Sequence, residues 1–262
     1  MAIDMAKIKA RLSKHQTKSA GGGGKSDFFE LPLDTPKTIR VLCGADGDPF
    51  KDYRIHWDFK KQTGGRPFMD LHYNFGKHDP IYNACQEMWA EFNKDKTQVH
   101  VKDLAKALTP SEQYYCWVIE RGAEDEGPKL WNFSKNVYGD ILMLMTDPDY
   151  GDISDPVEGN DLKVLKYKGD NGWNAIKMTA RPRKTAIFDD DPSGSRALEI
   201  MRNLPEVSSK LNKISVEEQG RILDAFLSQG IPAEEVSSET TKYSSAPTTT
   251  QVDKAFSNFL SA

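Results

Sequence analysis

Four side chains that can bind a metal ion lie within one 30-residue stretch of the sequence. They are His56, His72, His78 and Cys85. Structural zinc sites take four nitrogen or sulfur ligands in a tetrahedron, and neighbouring ligands usually have about two to five residues between them. Five residues separate His72 from His78, and six separate His78 from Cys85. This spacing permits a metal-braced subdomain, and it equally permits an ordinary β-hairpin and helix whose histidines are incidental.

Sequence motifs for catalysis are missing from the chain. It has no Gly-x-Ser-x-Gly, no His-Glu-x-x-His and no dinucleotide-binding glycine pattern. The glycines at 21–24 precede Lys25, but a phosphate-binding loop also requires glycine where the chain has Ser19, so they predict a flexible linker. We expect a binding protein and not an enzyme. A metal-dependent nuclease or nucleic-acid-processing enzyme is the alternative, because the carboxylates of such sites come from scattered strands.

Aromatic and basic residues are interleaved through the strand-like segments, which is typical of a surface for single-stranded nucleic acid. Exposed rings stack on bases at about 1–3 kcal/mol each, without sequence preference. Lysine and arginine displace counterions from phosphates, so binding weakens with salt. Alternate residues of a strand face opposite sides of the sheet, so some of these rings must fill the core. The candidate DNA-binding residues are Tyr53, Arg54, Trp57, Phe59, Lys60, Lys61, Arg66, Tyr73, Phe75, Tyr114, Tyr115, Trp131, Phe133, Lys135, Arg181, Arg183 and Lys184.

The net charge of −4 is unevenly distributed along the chain. Residues 1–18 carry five basic residues against Asp4 alone, whereas residues 189–262 carry twelve acidic and seven basic residues. A basic arm, a near-neutral core and an acidic C-terminal region indicate a polyanionic partner that is bound by local patches. The alternative is a solvated surface whose charge is merely uneven.

The elements that must position these residues are short strands with helices between them. Apolar alternation predicts strands at 38–42, 53–59, 67–75, 114–119, 128–133, 162–168 and 174–181, with a hairpin turn at Gly64-Gly65. Spacings of three and four residues predict helices at 4–18, 101–108, 136–145, 196–211 and 216–227. Asp79-Pro80 resembles the N-cap and first residue of a further helix that runs through Phe92. This order indicates an α+β or mainly β fold, and a Greek-key barrel of the OB type fits the strand count.

Composition divides the chain into four parts. Residues 1–26 form a basic arm and glycine linker, and 27–188 form the core with a subdomain inserted at about 53–110. Residues 189–235 are helical. Residues 236–262 are a Ser/Thr-rich tail, predicted to be disordered, that ends in an apolar docking peptide. Three widely spaced cysteines indicate a reducing compartment, and no apolar run is long enough to cross a membrane.

The order of local patterns resembles that of the single-stranded DNA-binding proteins of T4-type bacteriophages. A short basic N-terminal segment precedes the strand 38–42, which has the sequence TIRVL with an arginine among apolar residues. Ile55-His56 and Phe59-Lys60-Lys61 follow, and then a ligand-rich loop and helix that end in Ala84-Cys85-Gln86. The strand YYCW at 114–117, the segment LWNFSK at 130–135 and the hairpin at 162–177 complete the resemblance, which covers nearly the whole chain.

The resemblance implies an OB-fold core with a zinc subdomain, and a non-enzymatic protein that binds single-stranded DNA cooperatively during phage replication, recombination and repair. It implies that the basic arm mediates self-association and that the tail recruits replication and recombination proteins. It also implies a location in the cytoplasm of an infected bacterial host and no membrane partner. The arm residues that would mediate self-association are Lys7, Lys9, Arg11 and Lys14.

The zinc ligands of that family, one histidine and three cysteines, are only partly present. His56 matches the histidine and Cys85 the last cysteine, while His72 falls where the first cysteine would be. Tyr82 stands at the remaining position, where tyrosine is a poor zinc ligand, and His78 is the nearby replacement. The resemblance therefore implies either a site of three histidines and one cysteine or a subdomain that has lost its metal. The tail also departs from the family, because it is only mildly acidic.

Deleting residues 1–18 tests the role of the arm. We expect weaker cooperative binding to long single strands, with nearly unchanged affinity for one short oligonucleotide, because neighbouring molecules would lose their contact. Titrations against oligonucleotides of one and several site lengths measure both quantities. Equal loss of both would assign the arm to the DNA groove instead.

Overall fold

A computed structural model of the protein describes residues 27–228, apart from Lys60 and Asn171. The predicted basic arm, the helix at 4–18, the glycine linker and the tail at 236–262 lie outside the described residues. The described chain is a mixed α+β structure with seven antiparallel strands and six helices. The predicted fold class of α+β is confirmed at this level.

The strands and helices follow one another with short connections. The strands are β1 (Lys37–Leu42), β2 (Phe50–His56), β3 (Phe68–Met69), β4 (Ser111–Glu120), β5 (Lys129–Phe133), β6 (Asn160–Lys168) and β7 (Asn174–Lys184). The helices are α1 (Leu71–Phe75), α2 (Pro80–Lys94), α3 (Val99–Leu108), α4 (Lys135–Thr146), α5 (Ser195–Arg202) and α6 (Val216–Ser228). Short 3-10 turns occupy Glu124–Glu126 and Val207–Lys210.

Two predicted elements differ from the structure. The segment 67–75 is not one strand, because Asp70 accepts a hydrogen bond from the Tyr73 backbone N–H and starts helix α1, which Gly76 ends with a φ of 61°. The segment 196–211 is not one helix, because Pro205 lies within it and cannot donate the helical hydrogen bond. The predicted pairing of the strands around Gly64-Gly65 is confirmed between β2 and β3.

The described chain falls into two compact units. The first consists of 27–49, 116–132 and 140–204, and the second of 50–115, 133–139 and 205–228. In the first unit β4 pairs with β1, β1 with β6 and β6 with β7, and β5 also pairs with β4. The second unit contains β2 and β3 together with the helices α1, α2, α3 and α6.

The segment 27–33 joins two strands of the first unit. Phe28 forms a parallel bridge with Leu130 of β5, and Leu33 forms another with Lys166 of β6. The backbone N–H of Phe29 donates to the Leu130 carbonyl at 2.9 Å. Strand pairing therefore links β5 to β4, β4 to β1 and β1 to β6, and the segment 27–33 links β6 back to β5.

A buried arginine fixes the loop that precedes β6. The Arg40 guanidinium is fully buried, and its Nε donates to Asp161 Oδ1 at 3.1 Å. Its two Nη atoms donate to the carbonyls of Asp155 and Thr185 at 3.0 and 2.8 Å. Asp161 Oδ2 also forms an ion pair with Arg121, whose Nε lies 3.2 Å away. Burial lowers the pKa of Arg40, and the charge of Asp161 opposes that shift.

The second unit has its own apolar core. Phe59 and Phe68 pack with Ile81, Met88 and other residues of α2, α3 and α6. The complete buried set is Phe59, Phe68, Ile81, Ala84, Cys85, Met88, Phe92, Val101, Ala105, Leu108, Ile222 and Leu223. Cys85 thus lies inside a helical packing interface, where burial raises the pKa of its thiol.

Gly159→Ala tests the constraint that the Arg40 network places on the backbone. A Cβ at position 159 would lie 2.5 Å from the Asp155 carbonyl oxygen and 2.9 Å from Arg40 Nη1. We expect a loss of about 1–3 kcal/mol in the free energy of unfolding, measured by urea denaturation. Gly139→Ala in helix α4 is the matched control, because nothing lies within 4 Å of its added Cβ, and it should be neutral or stabilising. Equal effects of the two substitutions would contradict the constraint.

Candidate nucleic-acid interface and metal centre

The outward face of the β6–β7 hairpin carries basic side chains and a tyrosine. Side chains alternate along a strand, so Lys163 and Tyr167 share one face of β6, while the fully buried Val164 lies on the other. In β7, Lys177 is the cross-strand partner of Leu165, which lies on the same face of β6 as Lys163 and Tyr167. Lys177 therefore faces outward with them. Arg181 follows on the same face.

Arg181 extends this face toward β1. Its guanidinium donates to Thr38 Oγ1 at 3.2 Å, and Thr38 is the cross-strand partner of Lys163. We call the surface formed by Lys163, Tyr167, Lys177 and Arg181 the hairpin face.

The tip of the hairpin presents a tryptophan. The backbone N–H of Gly169 donates to the Trp173 carbonyl at 2.8 Å, and Gly172 adopts a φ of 77°, which closes the turn. The Trp173 side chain is 76% exposed, which is far above the exposure of a core tryptophan such as Trp131 at 2%. Trp173 is absent from the residues predicted to bind DNA. Its position beside a turn glycine, where no core is available, is the signal that indicates its exposure.

The charge of the hairpin is strongly positive in a chain of negative net charge. Asn160–Lys184 contains seven basic residues and only two acidic ones, Asp161 and Asp170. Asp161 is buried and neutralised by Arg40 and Arg121. Among the described residues of the hairpin, Asp170 is therefore the single exposed acid, and the local potential attracts an anion.

The aromatic residues predicted to bind DNA separate into buried and accessible groups. Five of them are core residues with at most 8% exposure, namely Phe59, Tyr114, Tyr115, Trp131 and Phe133. Their rings pack against other rings: Tyr114 stacks on Tyr138 with centroids 4.2 Å apart. Tyr53, Trp57 and Phe75 are half-buried. Tyr73 is the exposed member of the set, at 52%.

Tyr73 and Arg54 form a small accessible site in the second unit. The Arg54 guanidinium carbon lies 5.5 Å from the centroid of the Tyr73 ring, within cation–π range. Arg54 Nη2 also lies 3.5 Å from Glu112 Oε1, which holds the guanidinium in place. A base can stack on such a ring while the arginine contacts the backbone.

The remaining basic candidates lie on the surface. Lys61, Arg66, Lys135, Arg181, Arg183 and Lys184 are all exposed. Lys60 lies outside the described residues. Lysines 166 and 168 of β6 add to the positive charge of the hairpin. In the first unit, a cleft of about 550 Å³ is lined by Phe29, Trp131, Asn132, Lys166 and Ile176, among others.

The four predicted metal ligands have separate surroundings. His72 stacks on Tyr82, with ring centroids 3.7 Å apart and an interplanar angle of 14°. His78 is exposed. Cys85 Sγ lies 3.4 Å from Thr109 Oγ1 and 3.6 Å from the Ala105 carbonyl oxygen, on the α3 side of helix α2.

His56 instead meets two aspartates. Among the described residues, ligand atoms of His56, Asp70 and Asp79 all lie within 4.8 Å of one another, and all three side chains are buried. The histidine Nε2 lies 3.2 Å from Asp70 Oδ2. The sequence predicted Asp79 as a helix N-cap, which is confirmed, but not its place beside His56.

This set of atoms does not fit a tetrahedral zinc site. It offers one nitrogen and no sulfur, and the carboxylates already accept backbone hydrogen bonds at the starts of α1 and α2. His56 Nδ1 has no hydrogen-bond partner among the described residues, although a zinc-bound histidine usually donates its second N–H.

No protein-family model matches the chain, and no curated protein matches its sequence significantly. Within residues 27–228, no helix has both the length and the apolar character that spanning a membrane requires.

Proposed function

We propose that the protein binds single-stranded DNA cooperatively and without sequence preference, in phage DNA replication, recombination and repair. The observation that carries this proposal is the β6–β7 hairpin, which combines the basic hairpin face with the exposed Trp173 at its tip. Basic residues bind the phosphate backbone by displacing counterions. Exposed rings stack on bases of any identity.

We also propose that the first unit is an OB-type Greek-key barrel. The pairings from β5 through β4, β1 and β6 and back along 27–33 support this proposal. An OB barrel has five strands and is partly open. Proteins of this class bind single strands through stacking platforms within a positively charged groove.

The positive charge of β7 has a simpler explanation than DNA binding, namely protection of a sheet edge, but this explanation does not account for Trp173. β7 lies at the end of the strand order and carries Pro182, and natural sheets use lysine and proline to prevent edge-to-edge pairing. Protection of an edge does not require an exposed indole. Trp173 is 76% exposed and offers a large ring surface on which a base can stack, which edge protection does not account for.

The proposal extends to two segments outside the described residues. The basic arm, with Lys7, Lys9, Arg11 and Lys14, would join neighbouring molecules along the strand. The tail at 236–262 would recruit replication and recombination proteins through its apolar end. The site of action would be the cytoplasm of an infected bacterium.

Binding to oligo-dT should be sub-micromolar and should weaken steeply with salt. Each phosphate contact contributes about −0.7 to the slope of the logarithm of affinity against the logarithm of salt concentration. Fluorescence anisotropy with a labelled strand measures the slope. Equal affinity for duplex DNA, or a slope near zero, would overturn the proposal. Cleavage of the strand in the presence of Mg²⁺ would replace it with the nuclease alternative.

Substitutions in the hairpin separate stacking from charge. Trp173→Ala should weaken oligo-dT binding by about 5- to 150-fold, since one stacked base contributes about 1–3 kcal/mol. Lys177→Ala should reduce the magnitude of the salt slope by about 0.7. Both are measured by the same anisotropy titration.

The matched controls are exposed residues of the second unit. Val99→Ala removes an apolar side chain that is 59% exposed, and Lys106→Ala removes a surface lysine. Neither should change the affinity or the salt slope. If the two controls weaken binding as much as the hairpin variants, the hairpin is not the binding surface.

A further inference from the structure

The resemblance to zinc-containing proteins and the geometry around His56 disagree, and that disagreement has a structural explanation. We infer that the region where β2, α1 and α2 meet is held together by a buried hydrogen-bond network of His56, Asp70 and Asp79 and needs no metal ion. All three residues belong to the second unit. The inference concerns the folding of this unit and does not depend on the proposed function.

Asp79 connects the starts of two helices. Its Oδ1 accepts the backbone N–H groups of Ile81 and Tyr82 at 2.9 and 3.0 Å, which caps α2. Its Oδ2 accepts the backbone N–H of Leu71, the first residue of α1, at 2.7 Å. One carboxylate thus satisfies three backbone donors, two of them fully buried. A bound cation would compete with these donors for the same oxygen atoms.

Asp70 connects α1 to strand β2. Its Oδ1 accepts the backbone N–H of Tyr73 at 2.6 Å and caps α1, while Oδ2 lies 3.2 Å from His56 Nε2. The Asp70 backbone N–H donates to the Arg54 carbonyl at 3.0 Å. The side chain and backbone of one residue therefore attach the helix to the strand.

The contact between His56 Nε2 and Asp70 Oδ2 is a hydrogen bond when Nε2 carries a proton, because a carboxylate oxygen accepts. When Nε2 carries the proton and donates a hydrogen bond to Asp70, Nδ1 carries no hydrogen and is an acceptor. It lacks a hydrogen-bond partner among the described residues. A metal at Nε2 would move the proton to Nδ1 and leave a buried N–H without an acceptor. Nδ1 lacks a partner among the described residues in both states, so the metal-bound state differs by losing the Nε2–H hydrogen bond to Asp70. The hydrogen-bonded state is therefore the better match to the surroundings of this ring.

The positions at which the resemblance expects the other ligands are occupied by packing contacts. His72 and Tyr82 stack on each other, and Cys85 lies against Thr109 and Ala105. The His56 ring packs against the phenyl groups of Phe59 and Phe68, at centroid distances of 5.6 and 5.1 Å, and these two rings also contact each other. Small domains need a metal when their cores are too small, and this unit has a sizeable apolar core beside the network.

Chelation of the full-length protein tests the inference directly. We expect less than one equivalent of any transition metal by elemental analysis, and the same thermal midpoint with and without excess EDTA. One equivalent of metal per chain, together with a fall of the midpoint on chelation, would overturn the inference. A metal that EDTA removes without any change of the midpoint supports it, because the fold then does not depend on the ion.

Variants distinguish the network from the expected ligand set. Asp79→Ala should lower the thermal midpoint by about 4 °C or more, because it removes the α2 cap and the acceptor of Leu71 N–H. His78→Ala is the control, since His78 is exposed and lies outside the network. It should leave the midpoint unchanged. If His78→Ala lowers the midpoint and abolishes metal binding, the zinc set is correct and the network is not.

If Asp79→Ala does not fold, Asp79→Asn provides the measurement. An asparagine keeps one oxygen for the α2 cap and has an NH₂ group in place of the other oxygen, which accepts the Leu71 N–H. The variant should therefore fold with a lower thermal midpoint, and EDTA should not change that midpoint. A midpoint equal to that of the parent protein would show that the second oxygen has no structural role.

Discussion

The buried ion pair of Arg40 and Asp161 is the interaction on which the first unit depends. Arg40 is fully buried in β1, and its donors reach Asp161 in β6 and the carbonyls of Asp155 and Thr185. A buried charge without its partner is strongly destabilising, so the strand, the loop at 152–159 and the chain after β7 must be placed together. Position 159 lies so close to the Asp155 carbonyl and the Arg40 guanidinium that glycine fits there and a residue with a Cβ does not.

The same ion pair explains how a hairpin with two acids can present an almost purely positive surface. Alternation along β6 places Asp161, Lys163 and Tyr167 on one face. The arginines cover and neutralise the first of these, and the others remain accessible. The buried ion pair and the accessible basic residues therefore occupy different parts of one face of β6.

In the second unit, two carboxylates hold the first residues of the helices α1 and α2 in place. Asp70 and Asp79 each satisfy helix N-terminal donors and also reach beyond their own helix, to His56 and to Leu71. Short helices such as α1 are unstable alone, and their orientation is fixed by such shared acceptors. This arrangement places Tyr73 outward beside Arg54, where its ring is accessible.

The sequence by itself determined the α+β class, most element positions and the N-cap at Asp79, because these depend on local periodicity and capping. It also identified the basic and aromatic character of the chain. Only the tertiary structure decided that Tyr114, Trp131 and Phe133 are core residues, because burial depends on which strands pair. It likewise placed His56 beside two aspartates and Cys85 against α3. Residue types and spacing list the possible ligands, but contacts between residues distant in the chain select among them.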